Sequence, residues 1–212
     1  MPRARKRRLA LSLGLLAIFS AAGVARMVYA HTYPTNACTA HDIPCEPDNN
    51  DHTYCDVNLN GEWRTAWNNH VTYANSIGAT EYRVRNVGAC TSTTDLQLIV
   101  SNLQAGFWGL YMCDTFKAAG SGFECQQASV YTDLESIQNA FPTDSAKRLK
   151  AYEYNWCHEV GHSLGLFHGN TSSFNCMRSI GSMSLDTSQQ SRYRTYSAED
   201  IVHIKENLDN VL

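Results

Sequence analysis

Proline is scarce in this sequence, at 5 of 212 residues, and no low-complexity tract or repeat at a solenoid period interrupts an ordinary globular composition. The length suits one domain or two very small ones. No two cysteines are spaced as C-x-x-C, which argues against a thiolate zinc site. Basic residues are few outside the N-terminus. Six of the seventeen lie in the first thirty residues, and none of the twenty acidic residues does. The remaining 182 residues therefore carry eleven basic and twenty acidic residues, a formal net charge of −9. Nucleic acid and anionic lipid repel such a chain, so neither is expected as a partner.

The first thirty residues stand apart. Met1 to Arg8 holds five basic residues, Leu9 to Ala25 is almost wholly apolar or small, and Val28-Tyr29-Ala30 suits a cleavage point. This is the order of a signal peptide. An uncleaved membrane anchor needs roughly 20 apolar residues, and Arg26 interrupts the run early. Arg7-Arg8 is followed by residues that match a twin-arginine signal poorly. The expected mature protein is secreted, extracellular and monomeric, and begins near His31. All eight cysteines follow the signal peptide. An even count in an exported chain implies up to four disulfides, among 105 possible connectivities.

Residues 31–60 are polar and turn-rich, with three cysteines, and read as a disulfide-stapled N-terminal segment ending in a short strand near Tyr54 to Leu59. Trp63, Trp67, Val71, Ala74 and Ile77 recur at helical spacing, so a helix is expected over 62–77, with Gly78 as its stop and both tryptophans in the core. His70 lies next to that face and reads as a surface residue. Strand-like runs follow at 81–87, 96–100, 107–113 and 128–132. Cys113 and Cys125 flank Gly120-Ser121-Gly122, placed to staple two neighbouring strands. Pro142 to Ser145 opens a helix expected over 146–164, and Ser197 with Asp200 caps a final helix bearing Ile201, Ile204 and Leu208 on its inner face. His203 on that helix reads as a surface or packing residue.

The chemistry is concentrated in Cys-His-Glu-Val-Gly-His-Ser-Leu-Gly-Leu-Phe-His-Gly, residues 157–169. His158 and His162 are four apart, which on a helix sets both imidazoles on one face as two metal ligands. Glu159 follows the first and can act on a metal-activated water without being a ligand. Gly165 can end the helix in a left-handed turn, returning His168 as the third ligand. Three protein ligands with an open position is the catalytic arrangement of zinc. By chance H-E-x-x-H arises in about one chain of this length in a hundred or two, and the added Gly and His lower that by roughly three orders of magnitude.

This extended motif resembles that of the metzincin clan of zinc metalloproteases, H-E-x-x-H-x-x-G-x-x-H followed by a methionine turn. Met177, nine residues after His168, looks like the turn methionine, an apolar floor under the metal and not a ligand. Tyr196 to Ile201 is similar to the start of the C-terminal helix in matrixins. The resemblance covers a catalytic domain over 61–212. It implies an α+β fold, with a twisted, mostly parallel five-stranded sheet, an active-site helix and a C-terminal helix. It also implies Zn2+ on His158, His162 and His168, Glu159 as general base, and a protein or peptide substrate lying along an edge strand near Phe107 to Cys113. If the methionine turn passes under the zinc, Cys157 and Cys176 fall on adjacent segments and are expected to form a disulfide.

The sequence departs from its relatives. Small bacterial snapalysin-type proteases usually have aspartate as third ligand, where this chain has His168. The tyrosine that some metzincins carry two residues after the methionine is Ser179 here. Pro44-Cys45-Glu46-Pro47-Asp48 lacks the arginine and glycine of the matrixin cysteine switch, and the even cysteine count argues for a disulfide at Cys45 instead. Two other readings remain open: a zinc hydrolase of a non-protein substrate, and a non-catalytic zinc-stabilised binding module. Glu159 speaks against the second, since structure needs only the histidines.

Overall fold

A computed structural model describes residues 45–49, 51–78, 83–103, 107–119, 122–169, 175–178 and 194–209. The expected signal peptide, and most of the stretch from 170 to 193, lie outside the described residues. The elements run β1 (Asp51–Asp56), α1 (Gly61–Ala74), β2 (Arg83–Gly88), β3 (Leu96–Ser101), β4 (Gly109–Ala119), β5 (Gly122–Asp133), α2 (Leu134–Ala140), α3 (Ser145–Ser163) and α4 (Ala198–Asp209). The strands form one sheet in the order β2-β1-β3-β5-β4. Every pairing is parallel except the antiparallel β4–β5 hairpin, which leaves β4 on the edge. The expected α+β architecture with a mostly parallel five-stranded sheet is therefore observed.

The first strand lies at Asp51–Asp56, earlier than the expected 54–59, and sits between β2 and β3. The sheet thus begins before residue 61. The β4–β5 hairpin is longer than the two expected strands, and Cys113 and Cys125 are disulfide-bonded across it. Cys55–Cys90 ties β1 to the segment after β2, and Cys45 is disulfide-bonded as well.

Helix α1 presents Trp63 and Trp67 to α3. Trp63 stacks on Tyr152 at 3.9 Å, and Trp67 meets Trp156 edge-on at 5.4 Å and Tyr54 of β1 at 4.9 Å. Each such aromatic pair adds about 0.5–1.5 kcal/mol beyond its buried area. The helix stops at Asn75, whose side-chain oxygen accepts from the Val84 amide while its nitrogen donates to the Val84 carbonyl, fixing α1 to β2. His70 is 3% exposed among Trp67, Tyr73 and Tyr196. It is therefore a core residue, not the surface residue its sequence position suggested.

Helix α3 starts where expected, with Asp144 accepting from the Lys147 amide at 2.9 Å. Every residue from Ala151 to Ser163 is buried, because the sheet covers one side of the helix and α1 another. At its C-terminus the Leu166 amide donates to the Gly161 carbonyl and the Gly165 amide to the His162 carbonyl. With Gly165 at φ +81°, this is a Schellman turn. Helix α4 begins with the reciprocal cap of Ser197 and Asp200.

Candidate metal centre

Helix α3 carries His158, Glu159 and His162, and the Schellman turn at Gly165 brings His168 back to them. The Nε2 atom of His158 lies 3.0 Å from that of His168 and 3.2 Å from that of His162. The three imidazoles thus present their donor atoms within 4.8 Å of one another. The other ring nitrogens of His158 and His162 are engaged elsewhere. His158 Nδ1–H donates to the Cys176 carbonyl at 2.6 Å, and His162 Nδ1–H to the Leu166 carbonyl at 2.7 Å. Those bonds leave the Nε2 lone pairs of His158 and His162 pointing at the common centre. Lone pairs so close repel each other unless a cation lies between them. Tetrahedral zinc with Zn–N near 2.05 Å sets its ligand nitrogens about 3.3 Å apart, so the donor set fits zinc.

The electrostatics agree. Burial, then the neighbouring imidazoles, hold His158 well below the ordinary histidine value. Burial and His168 bring His162 to about 4. Burial also lowers His168, the exposed member of the three. All three therefore favour the neutral, ligating form at neutral pH.

Glu159 is 4% exposed and turns toward the edge strand β4. Burial raises its carboxyl to about 8, opposed by a hydrogen bond from the Tyr111 backbone. Its neighbour across the gap is Gly109, where a Cβ would fall 2.6 Å from Glu159 Oε1. The strand therefore needs glycine there for lack of room, not for backbone freedom.

Beneath the three histidines runs the segment 175–178. The expected disulfide between Cys157 and Cys176 is present, with Cα atoms 5.8 Å apart. Met177 is fully buried, and a Cβ on Gly161 would lie 2.2 Å from its sulfur, so the methionine packs against the helix between the two ligand positions. The Gly169 amide donates to the Met177 carbonyl, joining the third-ligand segment to this turn. Tyr154 Oη donates to the Arg178 carbonyl, and Asn175 Nδ2 donates to Asp200, which caps α4. Of the remaining described histidines, His70 and His203 are not among the three that converge.

No family model matches the chain, and no curated protein matches it. Many solved structures resemble it, two of them as follows. Archaemetzincin from Methanopyrus kandleri is 14% identical with a TM-score of 0.47, over 77% of this chain and 98% of that one. Metalloproteinase-II from Bacteroides fragilis is 13% identical with a TM-score of 0.44, over 83% of this chain and 55% of that one. Likeness at this level carries no functional conclusion; the side chains of the site have to carry it.

Several parts of this site were not visible in the sequence. Tyr154 and Asn155 look like ordinary helix residues, Asp200 like a helix cap and nothing more, and Gly109 and Tyr111 like ordinary strand residues. Only the way α3 packs against β4 and the 175–178 turn gives them partners.

Proposed function

We propose that the protein is a secreted zinc endopeptidase in which His158, His162 and His168 hold Zn2+ and Glu159 is the general base. The observation that carries this reading is the convergence of three Nε2 atoms, with the buried carboxylate of the residue after His158 left out of their hydrogen bonds. A zinc ion bound there supplies an acidified water and polarises the scissile carbonyl. Glu159 takes the proton from the attacking water and gives it to the leaving amine. A positive charge held by the imidazoles favours the ionised form that the first transfer needs.

The edge position of β4 supports a peptide substrate. Among the described residues no strand lies beyond β4, and an extended chain added there as a further strand would bring a peptide bond past Glu159. The three disulfides among the described residues suit an oxidising, extracellular setting, and among those residues no helix is long and apolar enough to cross a membrane. The test is metal analysis with casein hydrolysis, with and without a chelator. One zinc per chain with hydrolysis that chelation abolishes and zinc restores is the expected result. Zinc without hydrolysis would instead make the site structural.

A further inference from the structure

Glu159 shares its gap with a second polar group. Asn155 lies four residues earlier on α3, hence one turn away on the same face. The Cβ that Gly109 lacks would fall 2.3 Å from Asn155 Oδ1 and 2.8 Å from Asn155 Nδ2, beside the Glu159 oxygen. Amide and carboxylate therefore meet at one point, which any residue larger than glycine would fill. Asn155 is fully buried, and its Nδ2 lies 2.9 Å from Thr132 Oγ1 of β5, itself fully buried. The amide oxygen has no partner among the described residues.

A buried amide with one end unpaired is costly, and leucine would serve packing better at that position. Turning the amide by 180° about its last side-chain bond would keep the Thr132 pair and aim a donor at the Glu159 side. Thr132 Oγ1–H then donates to Asn155 Oδ1, and Nδ2 comes to the Glu159 side as a donor. We propose that Asn155, anchored by Thr132 through the gap at Gly109, is a positioning residue that donates to the Glu159 carboxylate and fixes its aim. The proposal rests on Glu159 being the base. The Tyr111 backbone and Asn155 then hold the carboxylate between them, so it keeps one orientation and loses no time in unproductive rotamers. Asn155 does not touch the substrate, and it acts only through Glu159.

The experiment compares Asn155→Leu, Thr132→Val and Thr132→Ser with the wild-type protein on a fluorogenic peptide the wild type cleaves, alongside zinc content and melting temperature. Losing a hydrogen bond to a charged group lowers kcat about 10- to 100-fold. Asn155→Leu and Thr132→Val are expected to show that drop, with KM within about twofold and zinc retained. Thr132→Ser, which keeps the hydroxyl, is expected to recover most of it. Wild-type kcat per bound zinc in both Asn155→Leu and Thr132→Val overturns the proposal, and so does a loss confined to zinc content or melting temperature. If Asn155→Leu does not fold, the isosteric Thr132→Val still decides. Glu159→Gln is run beside them. Its inactivity, with unaffected Asn155→Leu and Thr132→Val, sinks the positioning role alone; its full activity sinks the general base as well.

Discussion

His158, Glu159 and His162 occupy the buried C-terminal part of α3, where a helix built for stability alone would carry leucine or alanine. They tolerate burial because each polar end has an assigned partner: a backbone carbonyl for each Nδ1–H, a backbone donor for the carboxylate, and a shared centre for the Nε2 atoms. His70 is the counterexample. It is buried with neither ring nitrogen bonded among the described residues, and burial lowers it to about 3. Its folded value lies below its unfolded value of about 6.5, so its neutral form is favoured by folding. The associated stability is complete above pH 6.5 and is lost as pH falls toward 3. At pH 5 the loss reaches about 2 kcal/mol. Chemical denaturation of wild type and His70→Leu at pH 7 and pH 5 is expected to show a shallower pH dependence in the variant. Equal slopes would place the imidazole's proton elsewhere. At this scale the sequence was most legible where residue types and offsets are dictated by metal geometry. It was least legible at His70, because the exposed-looking side of α1 is covered by Tyr196, 126 positions along the chain.

The unit that makes the site is α3 together with the turn at Gly165 and the segment 175–178. The Schellman turn reverses the chain and supplies the Leu166 carbonyl that orients His162. The Cys157–Cys176 bond sets the Cys176 carbonyl against His158. Removing it as Cys157→Ala/Cys176→Ala is expected to cost about 3 kcal/mol of stability by the chain-entropy model. Zinc affinity is expected to fall about 10- to 100-fold, because the carbonyl that orients His158 is released. Denaturation and chelator competition measure the two effects. Undiminished zinc affinity would mean the carbonyl stays in place without the bond. Elements with apolar periodicity or caps were readable: α1, α3 and α4 lie within a few residues of their expected spans. Helix α2 was missed because seven residues give no helical period, and only Asp133 accepting from the Ser136 amide marks its start. The outer halves of β4 and β5 were missed because Thr115, Lys117 and Glu124 break apolar alternation, and the ladder there is held by hairpin geometry and the Cys113–Cys125 bond.

For the molecule as a whole, the proposed function pairs export of a disulfide-bonded chain with a zinc site on three histidines. N-terminal sequencing of protein recovered from culture medium is expected to start near His31. Retained Met1 would support a membrane anchor, and a start beyond about Asn60 would reveal a propeptide and remove the whole of β1, an inner strand of the sheet. The sheet, its edge strand and the helices behind it were implied by the resemblance of one short motif. The packing that converts that motif into a buried carboxylate beside three converging imidazoles was not, since it depends on contacts between α3, β4 and a turn distant in sequence. The central claim is that Glu159 does chemistry and does not hold metal. Peptide hydrolysis and zinc content of Glu159→Ala, measured on the same preparation, test it most directly. The account predicts one zinc per chain, as in the wild type, with turnover reduced at least about 10²- to 10⁴-fold. Near wild-type turnover with zinc in place, or loss of the zinc itself, would contradict it.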